Sequence, residues 1–212
     1  MIRVHPAGLE VEIDRLAING TLLVGGLRMT VPAGMAHTVM GPSGCGKSSL
    51  LAAVCGTLPP AFELQARIRA GGEPIEHLPT QSRRIGMLYQ DDLLFPHMTV
   101  RENLLFAVPT GPRAQREHTV REALSDLELP DHADADPGTL SGGQRTRVAL
   151  MRALLAQPRA LLLDEPFSRL DAALRGRMRE FVFGLLRTRG IPALLVTHDP
   201  ADVADPAHLT TL

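Results

Sequence analysis

The segment Gly41-Pro42-Ser43-Gly44-Cys45-Gly46-Lys47-Ser48, with Ser49 behind it, spaces its residues as G-x-x-x-x-G-K-[ST]. Glycines at these positions let successive backbone N–H groups converge on phosphate oxygens. The positive end of a following helix adds to that field. In such a loop Lys47 places a compact charge on the β/γ phosphates of a nucleoside triphosphate, and the Ser48 hydroxyl ligates Mg2+. Composition sharpens the point: of 22 basic residues, Lys47 is the only lysine and the rest are arginine. A chain this poor in lysine keeps one where a compact ammonium is needed.

Two further segments carry chemistry. Ala160-Leu161-Leu162-Leu163 is an apolar run that ends in Asp164 and Glu165. A carboxylate at a strand end can hold Mg2+, directly or through water. The next carboxylate is then placed to polarise an attacking water. In Leu140-Ser141-Gly142-Gly143-Gln144, Ser141 is a good helix N-cap, and the two glycines expose backbone donors at a helix start, which makes a second anion site.

These groups need a scaffold. Ala36–Met40, Ala160–Leu163 and Ala193–Thr197 are short apolar runs bounded by turn or polar residues, and each predicts a buried parallel strand. Ser48–Cys55 reads as a helix, and Ala172–Arg189 carries Leu174, Met178, Phe181, Val182 and Leu185 at helical spacing. Strands alternating with helices predict an α/β fold with a parallel sheet. Leu9–Val31 is strand-like and predicts an antiparallel edge. Between Asp91 and Thr139 the helical patterns Val100–Ala107 and Ala114–Leu127 stand between Pro- and Gly-containing turns, which predicts an inserted helical subdomain. The expected division is 1–90 with 148–212 for the core and 91–147 for the insert.

Composition excludes several classes. With 212 residues, 44% apolar and 21% charged, the chain can bury a sizeable core. Its net charge of −1 gives no nucleic-acid footprint and no polybasic membrane anchor. The longest uncharged window, Met29 to Gly46, is rich in glycine and proline and is not a spanning segment. No apolar signal core stands at the start, which predicts a chain that stays in the cytosol. Cys45 and Cys55 suggest no disulfide framework; on one helix they would stand about 15 Å apart, too far to bridge.

Leu140-Ser141-Gly142-Gly143-Gln144, Arg145–Leu155 and Asp164-Glu165-Pro166-Phe167-Ser168-Arg169-Leu170-Asp171 resemble the ATP-binding cassette (ABC) family, and the likeness runs over nearly the whole chain. The resemblance implies a P-loop NTPase (RecA-like) parallel-sheet core with an antiparallel N-terminal edge and an inserted α-helical subdomain, ATP and Mg2+ as ligands, and ATP hydrolysis. It implies that Ser141, Gly142, Gly143 and Gln144 bind the γ-phosphate of ATP held by a second copy, so that a homodimer closes head-to-tail over two ATPs. Gln90 is similar to the loop glutamine that touches Mg2+, and His198 to the switch histidine at the γ-phosphate, with Asp199 as its orienting neighbour. Asp171 is similar to the aspartate of the loop that crosses the dimer interface; it is also a plausible helix N-cap. The histidines at 5, 37, 77, 97, 118, 132 and 208 lack such context and read as surface or loop residues.

Phe95–Asn103 resembles the segment of bacterial importer ATPases that helps receive a helix of the membrane subunit; it also reads as a plain turn and helix start. The likeness is closest to ATPases of thiamine, iron, sulfate and polyamine-type uptake. It implies a subunit coupling hydrolysis to separate transmembrane permeases, indirectly serving a substrate-binding protein, peripheral on the cytoplasmic face of the plasma membrane and without nucleic-acid partners. An exporter or lipid-extruding ATPase would share every catalytic motif, and a soluble cassette acting on DNA or the ribosome is a third alternative.

The chain also departs from that pattern. The family usually has an aromatic side chain some two dozen residues before the phosphate loop, to stack on adenine; here no aromatic residue precedes Phe62, and Ile18 takes that place. An aliphatic contact predicts relaxed selectivity among purine triphosphates. Fourteen residues follow His198, among them Pro200 and Pro206, so the last strands are expected to be missing or rudimentary and a regulatory domain absent. Arg169 stands where a small residue is common; it could add positive charge or a salt bridge. Cys45 sits near the positive end of a helix, where thiols react readily; it is a candidate for alkylation or a small filler.

Overall fold

The computed structural model describes residues 8–168 and 170–212. His5 and Arg169 lie outside the described residues, and so does the expectation attached to Arg169.

The apolar runs form a five-stranded parallel sheet. Its strands are β3 (Ala36–Met40), β6 (Ile85–Leu88), β7 (Ala160–Asp164), β8 (Ala193–Thr197) and β9 (Leu209–Thr211), in the order β6-β7-β8-β3-β9. Both faces of the middle strands are covered: Leu161, Leu162, Leu163, Leu194, Leu195 and Val196 are all fully buried. That is why their sequence is continuously apolar and not alternating. The final strand is indeed rudimentary, three residues long and paired in parallel with β3.

The antiparallel element is a sheet of its own, ordered β2-β1-β4-β5, from β1 (Leu9–Ile18), β2 (Thr21–Val31), β4 (Phe62–Ala70) and β5 (Glu73–Pro74). Here the first half of β1 alternates, up to the register shift after Ile13. Leu9, Val11 and Ile13 point into the core while Glu10 and Asp14 face water, as expected of a sheet with one solvated side. The β1–β2 hairpin turns on Asn19-Gly20, whose φ values of 48° and 79° suit a two-residue primed turn.

Helix α1 (Lys47–Cys55) follows β3 and is packed in the core between the two sheets, with Leu50, Leu51 and Val54 fully buried. After it come a single turn, α2 (Thr80–Arg83), then α3 (Val100–Ala107), α4 (Arg113–Asp126), α5 (Gly142–Leu155) and α6 (Ala172–Arg189). The start of α3 carries a capping box between Thr99 and Glu102, worth about 1 kcal/mol by the usual cost of removing such a cap. Gly190, at φ 63°, ends α6.

Helix α5 belongs to two packing units. Ala149, Leu150 and Leu154 pack on the outer face of the parallel sheet with Met178, Val182 and Leu186 of α6. Val148, Met151 and Leu155 pack with Val100, Leu104, Val120 and Leu124 of α3 and α4. The helix runs unbroken through position 147, the boundary expected between the core and the insert. His37, expected at the surface, sits instead on β3 at 8% exposure, with Nε2 2.9 Å from Thr210 Oγ1; it fastens β3 to the terminal strand.

Candidate functional site

All the polar residues singled out on the core lie at the carboxyl ends of parallel strands. The phosphate loop follows β3, Gln90 follows β6, Asp164 and Glu165 close β7, and His198 follows β8. In a parallel α/β sheet this edge is where loops converge and ligands bind.

The loop from Gly41 to Gly46 joins β3 to α1. Gly44 and Gly46 have φ values of 83° and 103°, which side chains other than glycine tolerate poorly. A Cβ on Gly46 would also lie 3.2 Å from Leu23 Cβ, so this glycine lets the loop rest on β2. Gly46 is the N-cap of α1 and no side chain caps that end. The first amides of the helix are therefore available to an anion. Pro42, Ser43, Gly44 and Ser48 are exposed, while Lys47 is only 6% exposed and Ser49 half-buried. Lys47 folds back over the loop, its Nζ donating to Gly41 O at 2.7 Å and Pro42 O at 2.9 Å.

Cys45 lies in this loop, not on α1, so the two cysteines do not share a helix; both are free. Cys45 is half-exposed, whereas Cys55 is buried and its thiol is pushed up by that burial. We expect a maleimide to modify Cys45 first and to block nucleotide binding, because Cys45 Sγ would stand 2.6 Å from a Cβ placed on Gly41 and the loop has no spare room. Full binding after stoichiometric labelling of Cys45, read by mass spectrometry, would contradict this.

Ser48 Oγ donates to Asp164 Oδ1 at 3.4 Å. Burial pushes the Asp164 carboxyl up, only partly offset by that hydrogen bond and by the Lys47 charge. A half-buried carboxylate beside a hydroxyl, with no cation to compensate it fully, suits a hard divalent ion. Among the described residues no group of three or more His, Cys, Asp or Glu could cage a metal. The Ser48 hydroxyl and the Asp164 carboxylate are an oxygen-only pair that fits Mg2+, which takes few protein ligands and completes its shell with phosphate and water oxygens.

Glu165 holds its backbone at φ 45°, a strained setting for this residue, and its N–H donates to Val196 O at 3.0 Å. Its Oε1 stands 3.1 Å from His198 Nδ1. Asp199, expected to orient His198, does not: it pairs with Arg175 and accepts from Ala201 N. Gln90 Nε2 donates to Ser168 Oγ at 3.5 Å, and Ser168 Oγ donates to Glu165 O at 2.9 Å. Ser168 was quoted in the sequence without a role; it links the glutamine to the strained glutamate. Arg175 was missed altogether. It contacts both Asp199 and Leu170 O, tying the segment before α6 to the segment after β8.

Ser141 caps α5 with a full capping box: its side chain accepts from Gln144 N, and Gln144 Oε1 accepts from Ser141 N at 2.8 Å. The Gln144 side chain thus gives its oxygen to the cap, while its Nε2 stands 3.5 Å from His132 Nε2. Gly143 is needed for packing, since a Cβ there would meet Leu174 Cδ2 at 2.7 Å. Gly142 is open. It lines a small cleft with Gln90, Glu165, Thr146 and Leu170, of about 110 Å³, too small for a nucleoside triphosphate. Asp171 caps α6 by accepting from Leu174 N at 2.9 Å, at an exposed position. Ile18 is half-buried at the end of β1, where it pairs with Thr21 of β2 and Phe62 of β4.

Residues 24–168 match the family described as ABC transporter. The chain is 49% identical to the uncharacterized ABC transporter ATP-binding protein YnjD of Escherichia coli (strain K12), over 204 residues that cover 96% of this chain and 91% of that one. It is 41% identical to the thiamine import ATP-binding protein ThiQ of Cereibacter sphaeroides, covering 95% and 87%. It is 40% identical to the Fe(3+) ions import ATP-binding protein FbpC of Escherichia coli, where it spans 85% of this chain and 51% of the relative, about half its length.

Proposed function

The chain belongs to the ABC transporter family, and from that premise we propose that it is the ATP-hydrolysing subunit of an importer. Two copies close head-to-tail, each phosphate loop facing the Ser141–Gln144 helix start of the other. The observation that carries this reading is the meeting, at one sheet edge, of Ser48 with Asp164 and of Glu165 with His198, beside an uncapped helix start.

In this reading the residues divide the work. The loop amides from Gly41 to Ser49 and the Lys47 ammonium bind the phosphate tail. Ser48, Asp164 and Gln90 are the groups that would hold Mg2+, which when bound neutralises charge on the β and γ phosphates. Glu165 accepts a hydrogen bond from a water and aims it in line with the γ-phosphorus. As the new P–O bond forms, the bond to the β–γ bridging oxygen breaks, releasing ADP and inorganic phosphate. Lys47 and His198 face the charge that spreads over the γ oxygens. Glu165 meets His198 through Oε1 at 3.1 Å, and a carboxylate has a second oxygen with which to accept from a water.

The partner side follows from the insert. Beneath the Gln90 loop lies an open apolar groove of about 460 Å³, where Tyr89, Leu93 and Phe106 stand 43%, 56% and 64% exposed. Rings left uncovered in this way mark a protein contact surface. We assign it to a helix of a transmembrane permease. No helix among the described residues is long and apolar enough to cross a membrane. In this reading the permeases are separate chains, and this subunit sits at their cytoplasmic side, as the likeness to import ATP-binding proteins supports. A substrate-binding protein on the far side is then an indirect partner.

Chelation provides the direct test. With EDTA in excess, ATP hydrolysis by the purified protein is expected to vanish and to return on adding Mg2+. In cells the protein is expected to sediment with membranes only when its permease is co-expressed. Hydrolysis unaffected by EDTA would overturn the assignment of Ser48, Asp164 and Gln90.

A further inference from the structure

The segment after β8 carries a buried acid that the reaction does not use. Asp202 closes the short 3-10 turn Pro200–Asp202 and is only 2% exposed. Burial, with the charge of Asp199, pushes its carboxyl up against the hydrogen bond from Thr197 and the charges of Arg175 and Arg179. A carboxylate is among the costliest groups to bury, and an apolar side chain would fill the same place at less cost. Its partners show what the burial achieves.

Thr197, the last residue of β8, is also 2% exposed. Its Oγ1 donates to Asp202 Oδ2 at 2.8 Å and accepts from Asp199 N at 3.1 Å. The roles are fixed. An amide N–H can only donate and an ionised carboxylate can only accept, so the single hydroxyl proton points at Asp202. His198 stands between the two residues that this hydroxyl joins. The backbone on both sides of the histidine is thus tied to one buried hydroxyl, while the histidine itself is exposed, with Nδ1 3.1 Å from Glu165 Oε1.

The acid is anchored in turn to α6. Its Oδ1 lies 3.5 Å from Arg179 Nη1 and makes no hydrogen bond among the described residues. Arg179 also donates to Ala201 O. Arg175, one turn earlier on the same face of the helix, pairs with Asp199 and donates to Leu170 O. The two arginines therefore grip the stretch 199–202 that follows His198.

We propose that the Thr197 hydroxyl and the Asp202 carboxylate are positioning groups for His198, holding the histidine where it meets the γ-phosphate. This rests on the reading above, in which His198 faces the charge on the γ oxygens. An imidazole acts on that charge only at hydrogen-bond distance, and an exposed ring has little packing to hold it there. A turn locked to β8 on one side and to α6 on the other fixes the Cα from which the ring reaches, without touching the ring. Neither Thr197 nor Asp202 meets the nucleotide in this role, so the loss on removing them falls on turnover and not on binding.

The test uses the purified full chain, with phosphate release for kcat and KM and titration calorimetry for MgATP affinity, at a temperature where circular dichroism shows every variant folded. Thr197→Val keeps the shape and removes the hydroxyl. It should lower kcat by roughly tenfold to hundredfold, the cost of misplacing a catalytic group by about 1 Å, and leave MgATP affinity within about twofold. Asp202→Ala should match it. Thr197→Ser and Asp202→Asn, which keep the hydroxyl and an acceptor oxygen, should stay within a few-fold of wild type. In a His198→Ala background Thr197→Val should cost nothing further, since a positioning group acts only through the residue it positions. Unchanged turnover in Thr197→Val, an equal loss in both backgrounds, affinity that falls together with kcat, or a Thr197→Ser as slow as Thr197→Val would each overturn the proposal. If His198→Ala alone hydrolyses MgATP at the wild-type rate, the reading of His198 itself fails and this inference goes with it.

Discussion

Glu165→Gln is expected to slow MgATP hydrolysis by about a hundredfold or more, the usual contribution of a positioned general base. The change removes a charge and leaves the shape. The backbone strain at φ 45° and the hydrogen bond from Glu165 N to Val196 O do not depend on the carboxylate, so the strand end keeps its form. Asp164 and Ser48 are untouched, and nucleotide affinity should stay within a few-fold of wild type. Hydrolysis being blocked after binding, the variant should accumulate as a nucleotide-loaded dimer. Gel filtration with and without MgATP, alongside phosphate release, reads both effects. Near-normal turnover would remove Glu165 from its role, and loss of binding would point to a structural part for it.

Lys47→Ala should fail at an earlier step. Its ammonium is nearly buried and is held by two carbonyls at 2.7 and 2.9 Å, a setting that costs the cation its water and is worthwhile only if phosphate oxygens replace those contacts. Without it, turnover should drop by about a hundredfold to a thousandfold. Nucleotide affinity should fall with it, and no ATP-dependent dimer should form. The contrast with Glu165→Gln is the informative part: one variant binds and stalls, the other does not bind. Lys47→Arg should not rescue, because a planar guanidinium on a longer stem cannot take the place of a compact ammonium under the loop. Retained binding in Lys47→Ala would show that the amides alone hold the phosphates.

The residue types announced most of the site, and the reasons differ from place to place. Strands β3, β7 and β8 were legible because burial on both faces demands runs such as Ala160–Leu163, and α6 because its one buried stripe repeats at helical spacing. The phosphate loop was legible because its glycines and its lone lysine serve backbone geometry that few residues permit. Strand β4 was passed over although Phe62–Ala70 alternates apolar and polar residues without a break; the early residues of its apolar face are only half-buried. Partner choice was least legible. Asp199 stands next to His198 in sequence, yet the way α6 packs against the end of β8 gives Arg175 to Asp199 and leaves His198 to Glu165. The strain at Glu165 was also invisible, since nothing in Asp164-Glu165-Pro166 dictates a positive φ.

Whether each site is built from two copies can be decided by mixing two inactive variants. Lys47→Ala disables the phosphate loop of its own chain, and Ser141→Arg, which also removes the cap of α5, disables the helix start offered to the other chain while leaving its own phosphate loop unchanged. Each alone should be inactive. In a mixed dimer one site carries both defects and the other none, so activity should reappear, at about a quarter of wild type when half the dimers are mixed and one site in two is intact. No recovery at any mixing ratio, or a wild-type rate per chain that stays constant at dilutions where only monomer is present, would contradict a shared site.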